Sequence, residues 1–187
     1  NVYGKEIPPK PNPPRLVNDF VGILNQNQLL ALERKLVAYD DSTSSQIAIV
    51  IENSLEGDDL FDYSFRIARE WGIGREGQWN GVLVYVAIQD RKMGIHVGQG
   101  LQGNIPDAIA KRIIENVLKP AFRENNYYGG LDRATDIMFQ LASGEFQNTE
   151  SRKDPMRRGG SWQLIVLIAA VIFIIWIKNK LYSNLKR

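Results

Sequence analysis

The acids that could do chemistry together in this chain are few. Asp19 stands ahead of a first helix, Asp58 and Asp59 ahead of a second, and Asp90 at a hairpin tip. Asp132 and Asp136 lie four apart on one helix face. Carboxylates converging from loops are what a hard divalent cation, Ca2+ or Mg2+, requires. No twelve-residue Asp-x-Asp-x-Asp-Gly loop organises them, and a single acid is more often a cap or a solvated side chain. Elimination narrows the chemistry. The chain has no cysteine, which removes thiolate catalysis, disulfides and thiolate metal sites. Its one histidine, His96, lies in a strand pattern. One imidazole excludes a multi-histidine zinc site within a single chain, and no serine stands in a nucleophile-elbow setting. No Asp-x-Asp pair follows a strand. What survives is chemistry run by a metal ion on oxygen ligands. Val97-Gly98-Gln99-Gly100 could cradle a phosphate, or be an ordinary turn. Trp71 and Trp79 read as core and loop packing, and His96 as a strand residue.

The elements that must position these residues follow from pattern. Gly81 opens the continuous apolar run Val82 to Ala87, a strand buried on both faces. After the polar tip Gln89-Asp90-Arg91-Lys92, Met93, Ile95 and Val97 alternate with Gly94, His96 and Gly98, the period of a half-buried strand. The two make an antiparallel hairpin that exits through Gly98, Gly100 and Gly103. Upstream, Leu16 to Leu24 is a short apolar entry segment. Asn25 caps a helix with Leu29, Leu32 and Leu36 at helical spacing. Gln46 to Glu52 is a second buried strand. Asp58 can cap a helix running to about Trp71, with Phe61, Phe65 and Ala68 as its inner face. Downstream, Pro106 sits at a first-turn position. A helix marked by Ile105, Ile109, Ile113 and Val117 is expected to stop before Pro120. A last helix carries Leu131, Ala134, Ile137, Met138 and Leu141 inward. The order is that of a layered α/β domain of about 145 residues.

The ends differ from this domain. Residues 1–14 hold Pro8, Pro9, Pro11, Pro13 and Pro14, an extended strap with polyproline II character. It reads as a spacer or a segment lying along the domain, with a ligand for a proline-reading module as the alternative. Residues 147–161 turn polar and basic, as in a linker. Trp162 to Ile177 contains no charge. With flanking aromatics and the snorkelling Lys178 and Lys180, residues 162–180 are expected to span a bilayer, leaving a basic tail over 181–187. Lysine and arginine counts tie across the span. The start at Asn1 is taken as the mark of a removed signal peptide, which puts the domain on the extracytoplasmic, periplasmic side of the cytoplasmic membrane and the C-terminus in the cytoplasm. A net charge of +2 over 187 residues gives no argument for nucleic acid.

Several segments together resemble one family. They are Val17-Asn18-Asp19-Phe20-Val21-Gly22-Ile23-Leu24, Gln46-Ile47-Ala48-Ile49-Val50 and Trp71-Gly72-Ile73-Gly74. Asn80-Gly81-Val82-Leu83-Val84, Asp90-Arg91-Lys92, Val97-Gly98-Gln99-Gly100-Leu101 and Tyr127-Tyr128-Gly129-Gly130-Leu131 follow in order. Over residues 15–146 the chain resembles the TPM domain family. The resemblance implies a three-layer α/β/α sandwich around a small mixed sheet, secreted or membrane-tethered. Thylakoid relatives are linked to photosystem II repair and described as acid phosphatases, while some bacterial relatives look like calcium or magnesium binders. Carried over by position, it marks Asp19, Asp90 and Asp132 as metal ligands. The expected function is a tethered accessory module that binds Ca2+ or Mg2+ and acts with another membrane protein or complex. The alternative is a metal-dependent acid phosphatase at the membrane surface.

Overall fold

The computed structural model describes residues 4–144. The expected linker 147–161, span 162–180 and tail 181–187 lie outside the described residues. Among those described, no helix is long and apolar enough to cross a membrane.

A four-stranded mixed sheet organises the domain, in the order β1 (Val17–Asp19), β2 (Gln46–Glu52), β3 (Gly81–Ala87), β4 (Lys92–Val97). The first three strands are parallel, with Val17 opposite Ile49 and Ile49 opposite Val84. Parallel neighbours need a crossover, supplied by helices α1 (Gln26–Thr43) and α2 (Leu60–Glu70). β4 returns antiparallel to β3, Val82 facing Val97, as the alternation predicts. β1 is an addition to the expected elements. It is three residues long and too short to show a period.

Strand alternation sends side chains to two faces, and each face buries its own cluster. Ile47, Ile49, Ile51, Val82, Val84 and Val86 pack with Leu32 and Leu36 of α1 and with Leu131, Ala134 and Met138 of α5 (Tyr127–Ala142). Ala48, Val50, Leu83 and Tyr85 pack with Tyr63, Ile67 and Trp71 on the other side. The fold is α/β, with helices on both faces of the sheet.

Three local expectations are corrected. The N-cap of α2 is Asp59, which accepts the Asp62 N–H at 2.9 Å, not Asp58. Its inner face is Tyr63 and Ile67, not Phe61 and Phe65, which are 68% and 49% exposed. Both stripes repeat every four residues, and the Tyr63 ring wins by meeting Tyr85 edge-on, centroids 5.7 Å apart. The helix beginning as α3 (Asp107–Ile113) does not stop before Pro120. It widens into a π turn over Ile114–Leu118, where the Lys119 N–H reaches back to the Ile114 carbonyl, and continues as α4 (Lys119–Arg123). Pro120 thus falls in a first helical turn, where its missing N–H is tolerated.

The outward stripe of α2 has a partner of its own. Phe61 and Phe65 flank His96 of β4, at centroid distances of 4.8 and 6.4 Å, and His96 Nε2 bonds the Ser64 hydroxyl. Burial lowers the His96 pKa, with Asp107 pulling the other way. The unfolded chain therefore binds the proton more readily, and stability is expected to rise as pH climbs from the depressed folded value to about 6.5. Denaturation midpoints at pH 5.5 and 7.5 should differ in that direction, and His96→Gln should shrink the difference.

Candidate functional site

Parallel α/β sheets place ligands at the carboxyl ends of their strands. At that end of β3, the hairpin and the α4–α5 corner enclose a cavity of about 480 Å3. Its walls are Val86, Ala87, Ile88 and Met93 from the hairpin and Phe122, Asn125 and Tyr127 from the corner, with Arg91, Lys119 and Arg123 at the rim. Arg91 is held in the turn by a left-handed backbone (φ 51°) and by its N–H to the Ile88 carbonyl at 3.2 Å. Lys119 and Arg123 are four apart on α4 and so share a face. Asn126 caps α5 on the Gly129 N–H. Phe122 and Tyr127 meet edge-on at 5.0 Å. Gly130 keeps this corner tight, since a Cβ there would fall 2.9 Å from that of Ala121.

The charges in the cleft are unequally satisfied. Lys119 pairs with Glu115 at 2.6 Å and holds that carboxyl below its ordinary pKa. Arg91 and Arg123 make no side-chain hydrogen bond or ion pair among the described residues. Two guanidinium groups over an apolar, aromatic wall fit an oxyanion, which their planar forks can bind bidentately. This cleft was not visible as a motif: its cations come from separate segments and read singly as surface charges. Arg91 and Tyr127 nevertheless fall within two of the segments that carry the family resemblance.

The three expected metal ligands are each engaged by protein. Asp19 Oδ1 accepts the N–H groups of Val21 at 3.1 Å and Gly22 at 2.8 Å, and Oδ2 that of Leu24 at 2.8 Å. Asp90 accepts the Leu55 N–H at 2.5 Å, which lowers its pKa, helped by the Ser54 side chain. Asp132 and Asp136 do share a face, but Lys35 Nζ sits between them at 2.6 and 2.7 Å, where a cation would stand. Asp58 binds Arg66 at 2.7 Å. Among the described residues no group of three His, Asp or Glu side chains could hold a metal ion. As a set, Asp19, Asp90 and Asp132 therefore do not fit one ion. Asp19→Ala is expected to lower stability by about 2 kcal/mol, because three N–H groups lose a charged acceptor. Urea unfolding without added metal checks this.

The glycine pair of Val97–Gly100 is filled by protein rather than phosphate. A Cβ on Gly98 or Gly100 would lie 2.1 Å from the Trp79 or Gln78 carbonyl oxygen, respectively. Carbonyl oxygens there repel an anion. The Trp79 side chain itself is 65% exposed, while Trp71 is buried in the core.

A second polar cluster sits on the α2 side and was also unforeseen. Glu52, 7% exposed at the end of β2, accepts Lys5 Nζ on Oε1 at 2.8 Å and the Tyr85 hydroxyl on Oε2 at 2.9 Å. Burial, then the Glu52 charge, pushes the Tyr63 and Tyr85 hydroxyls well above their ordinary pKa.

A family profile described as the TPM domain matches residues 17–141. Among solved structures, the chain is similar to the N-terminal domain of a protein from P. gingivalis. The identity is 33%, over 70% of this chain and 83% of that one, with a TM-score of 0.65. It is also similar to a protein from the psychrophilic bacterium Bizionia argentinensis, at 20% identity, 67% and 86% coverage and a TM-score of 0.59. The N-terminal domain of a Corynebacterium glutamicum protein matches at 18% identity, 76% and 87% coverage and a TM-score of 0.53. At such identities the last two share the fold alone. No curated protein matches.

Proposed function

The chain belongs to the TPM domain family, and from that premise we propose that it is a membrane-tethered binding module that grips an oxyanion of its ligand or partner in the Arg91–Lys119–Arg123 cleft. The observation that carries this is the pair of guanidinium groups, Arg91 and Arg123, that line an aromatic-walled cavity and make no side-chain hydrogen bond or ion pair among the described residues. The uncharged run 162–177 supports attachment to a membrane. The proposal puts the domain on the extracytoplasmic face, beside another membrane protein or complex, and protease protection in sealed vesicles tests that side. Ca2+ or Mg2+ binding is a separate part of the proposal, and at Asp19 it would have to draw the carboxylate away from the N–H groups it now accepts. Amide NMR shifts on calcium addition, confined to the loop after Asp19, would support that part.

The cleft is tested with an aryl phosphate titrated into the full chain in mild detergent. Arg91→Glu and Arg123→Glu should each weaken binding at least about tenfold, the scale of one charge-assisted hydrogen bond. Unchanged affinity in the double variant would remove the cleft from the reading. The same titration addresses hydrolysis. Asp90 is next to Arg91 in sequence, but its carboxylate accepts the Leu55 N–H and does not line the cavity. Turnover that needs Ca2+ or Mg2+ and vanishes in Arg91→Glu would favour the enzyme; tight binding without turnover favours the module.

A further inference from the structure

We propose that the groove holding residues 4–10 is a peptide-recognition site. Its resident ligand is the chain's own strap. In trans it takes an extended proline-rich segment of a partner protein, with a lysine three residues ahead of the first proline. This site is independent of the cationic cleft, on the opposite side of the sheet.

The strap is held as a ligand is held. Lys5 Nζ enters a pocket made by Glu52 Oε1 at 2.8 Å and the Ser54 carbonyl at 2.7 Å, with the Tyr63 ring centroid 4.9 Å away. Its side chain is only 12% exposed. The backbone that follows is read by side-chain donors. Tyr63 donates its hydroxyl to the Glu6 carbonyl at 3.2 Å, and Trp71 donates its indole N–H to the Pro8 carbonyl at 2.9 Å. Ile7 packs on the apolar cluster beneath. Lys10 Nζ bonds the Trp71 carbonyl at the C-terminal end of α2, where the helix dipole favours a cation.

Among the described residues, no backbone–backbone hydrogen bond joins residues 4–14 to the rest. The strap adds no strand. A polyproline-type segment has no internal hydrogen bonds, so its carbonyls are available, and aromatic donors reading them are the usual way such segments are recognised. The groove residues all lie within the span that matches the family, and the strap lies before it. When the strap lifts, Glu52 faces Tyr85 without its ammonium, and the vacated pocket calls for another. Tethering gives the strap an effective concentration in the millimolar range, so a trans ligand competes best when the strap is weakened.

The test uses the full chain in detergent and a dye-labelled peptide of residues 1–14. The Lys5→Glu/Ile7→Gly chain should bind this peptide saturably, and the wild-type chain at least about tenfold more weakly. A peptide carrying Lys5→Glu should not bind. Equal binding to both chains, equal binding of both peptides, or no binding to a variant with native near-UV dichroism would overturn the proposal. Should the variant unfold, the wild-type chain decides by native-state exchange of the Trp71 indole N–H. Exchange by local opening, faster than the Val84 amide, is the expected result. Exchange only through global unfolding would make the strap part of the core and end the proposal.

Discussion

Gly98→Ala is expected to lower the unfolding free energy by about 3 kcal/mol, the upper range for a forced insertion into packed structure. The reason is not backbone freedom, because Gly98 has an ordinary φ of −62°. It is space. A Cβ would stand 2.1 Å from the Trp79 oxygen and 3.0 Å from the Gly81 oxygen, both main-chain atoms. Neither can swing aside as a side chain would. The Gly81 oxygen is fixed by the Gly98 N–H at 2.7 Å, and the Trp79 oxygen by the Gly100 N–H at 3.0 Å. Admitting the methyl group means prising the 75–80 loop from the end of β4 and breaking that pairing. Gly103→Ala, where a Cβ meets nothing within 4 Å, is the control and should be neutral or slightly stabilising. Urea midpoints of the two variants measure the contrast. A Gly98→Ala chain as stable as wild type would mean that the two segments do not lie this close.

Glu52→Ala is the second large effect, again about 3 kcal/mol. The fully buried Tyr85 hydroxyl loses its acceptor, which alone costs about 1–3 kcal/mol. Lys5 loses its carboxylate, and a half-broken buried pair is worth about 3–5 kcal/mol when nothing can move. Here something can move: Lys5 is carried by the strap and can swing into water, which keeps the total below the sum. The same argument fixes the coupling. Lys5→Met in the Glu52→Ala background should cost much less than in the wild-type chain, because the strap has already lost its anchor. Denaturation of the two singles and the double closes the cycle, and simple additivity would show that Lys5 and Glu52 do not act on each other.

The elements with a long, single period were readable. The hairpin of β3 and β4, the capped α1 and the inner face of α5 all follow from spacing that any tertiary context would respect. The inner face of α2 did not follow. Phe61 and Phe65 form as good a stripe as Tyr63 and Ile67, and only the approach of Tyr85 and His96 from the sheet decides which points inward. Pro120 looked like a terminus because a regular helix would end there, and a π turn is not encoded by periodicity. For the sites the asymmetry is sharper. Loop acids draw attention in a sequence, yet Asp19 and Asp90 accept backbone N–H groups and Asp132 meets a lysine from another helix. Glu52 drew none, being the last letter of an apolar strand, and the cations of the cleft are divided between the hairpin turn and the distant helix α4.

The mixed direction of the sheet also bears on how the chain finds its shape. Val17 meets Ile49 and Gln46 meets Gly81, so each parallel pairing closes a loop of about thirty residues, whereas Ala87 meets Lys92 almost at once. By loop entropy alone the antiparallel ribbon is cheaper to close by about 1.5 kcal/mol. It is the natural first template during refolding, against which the slower β–α–β windings must then be laid down.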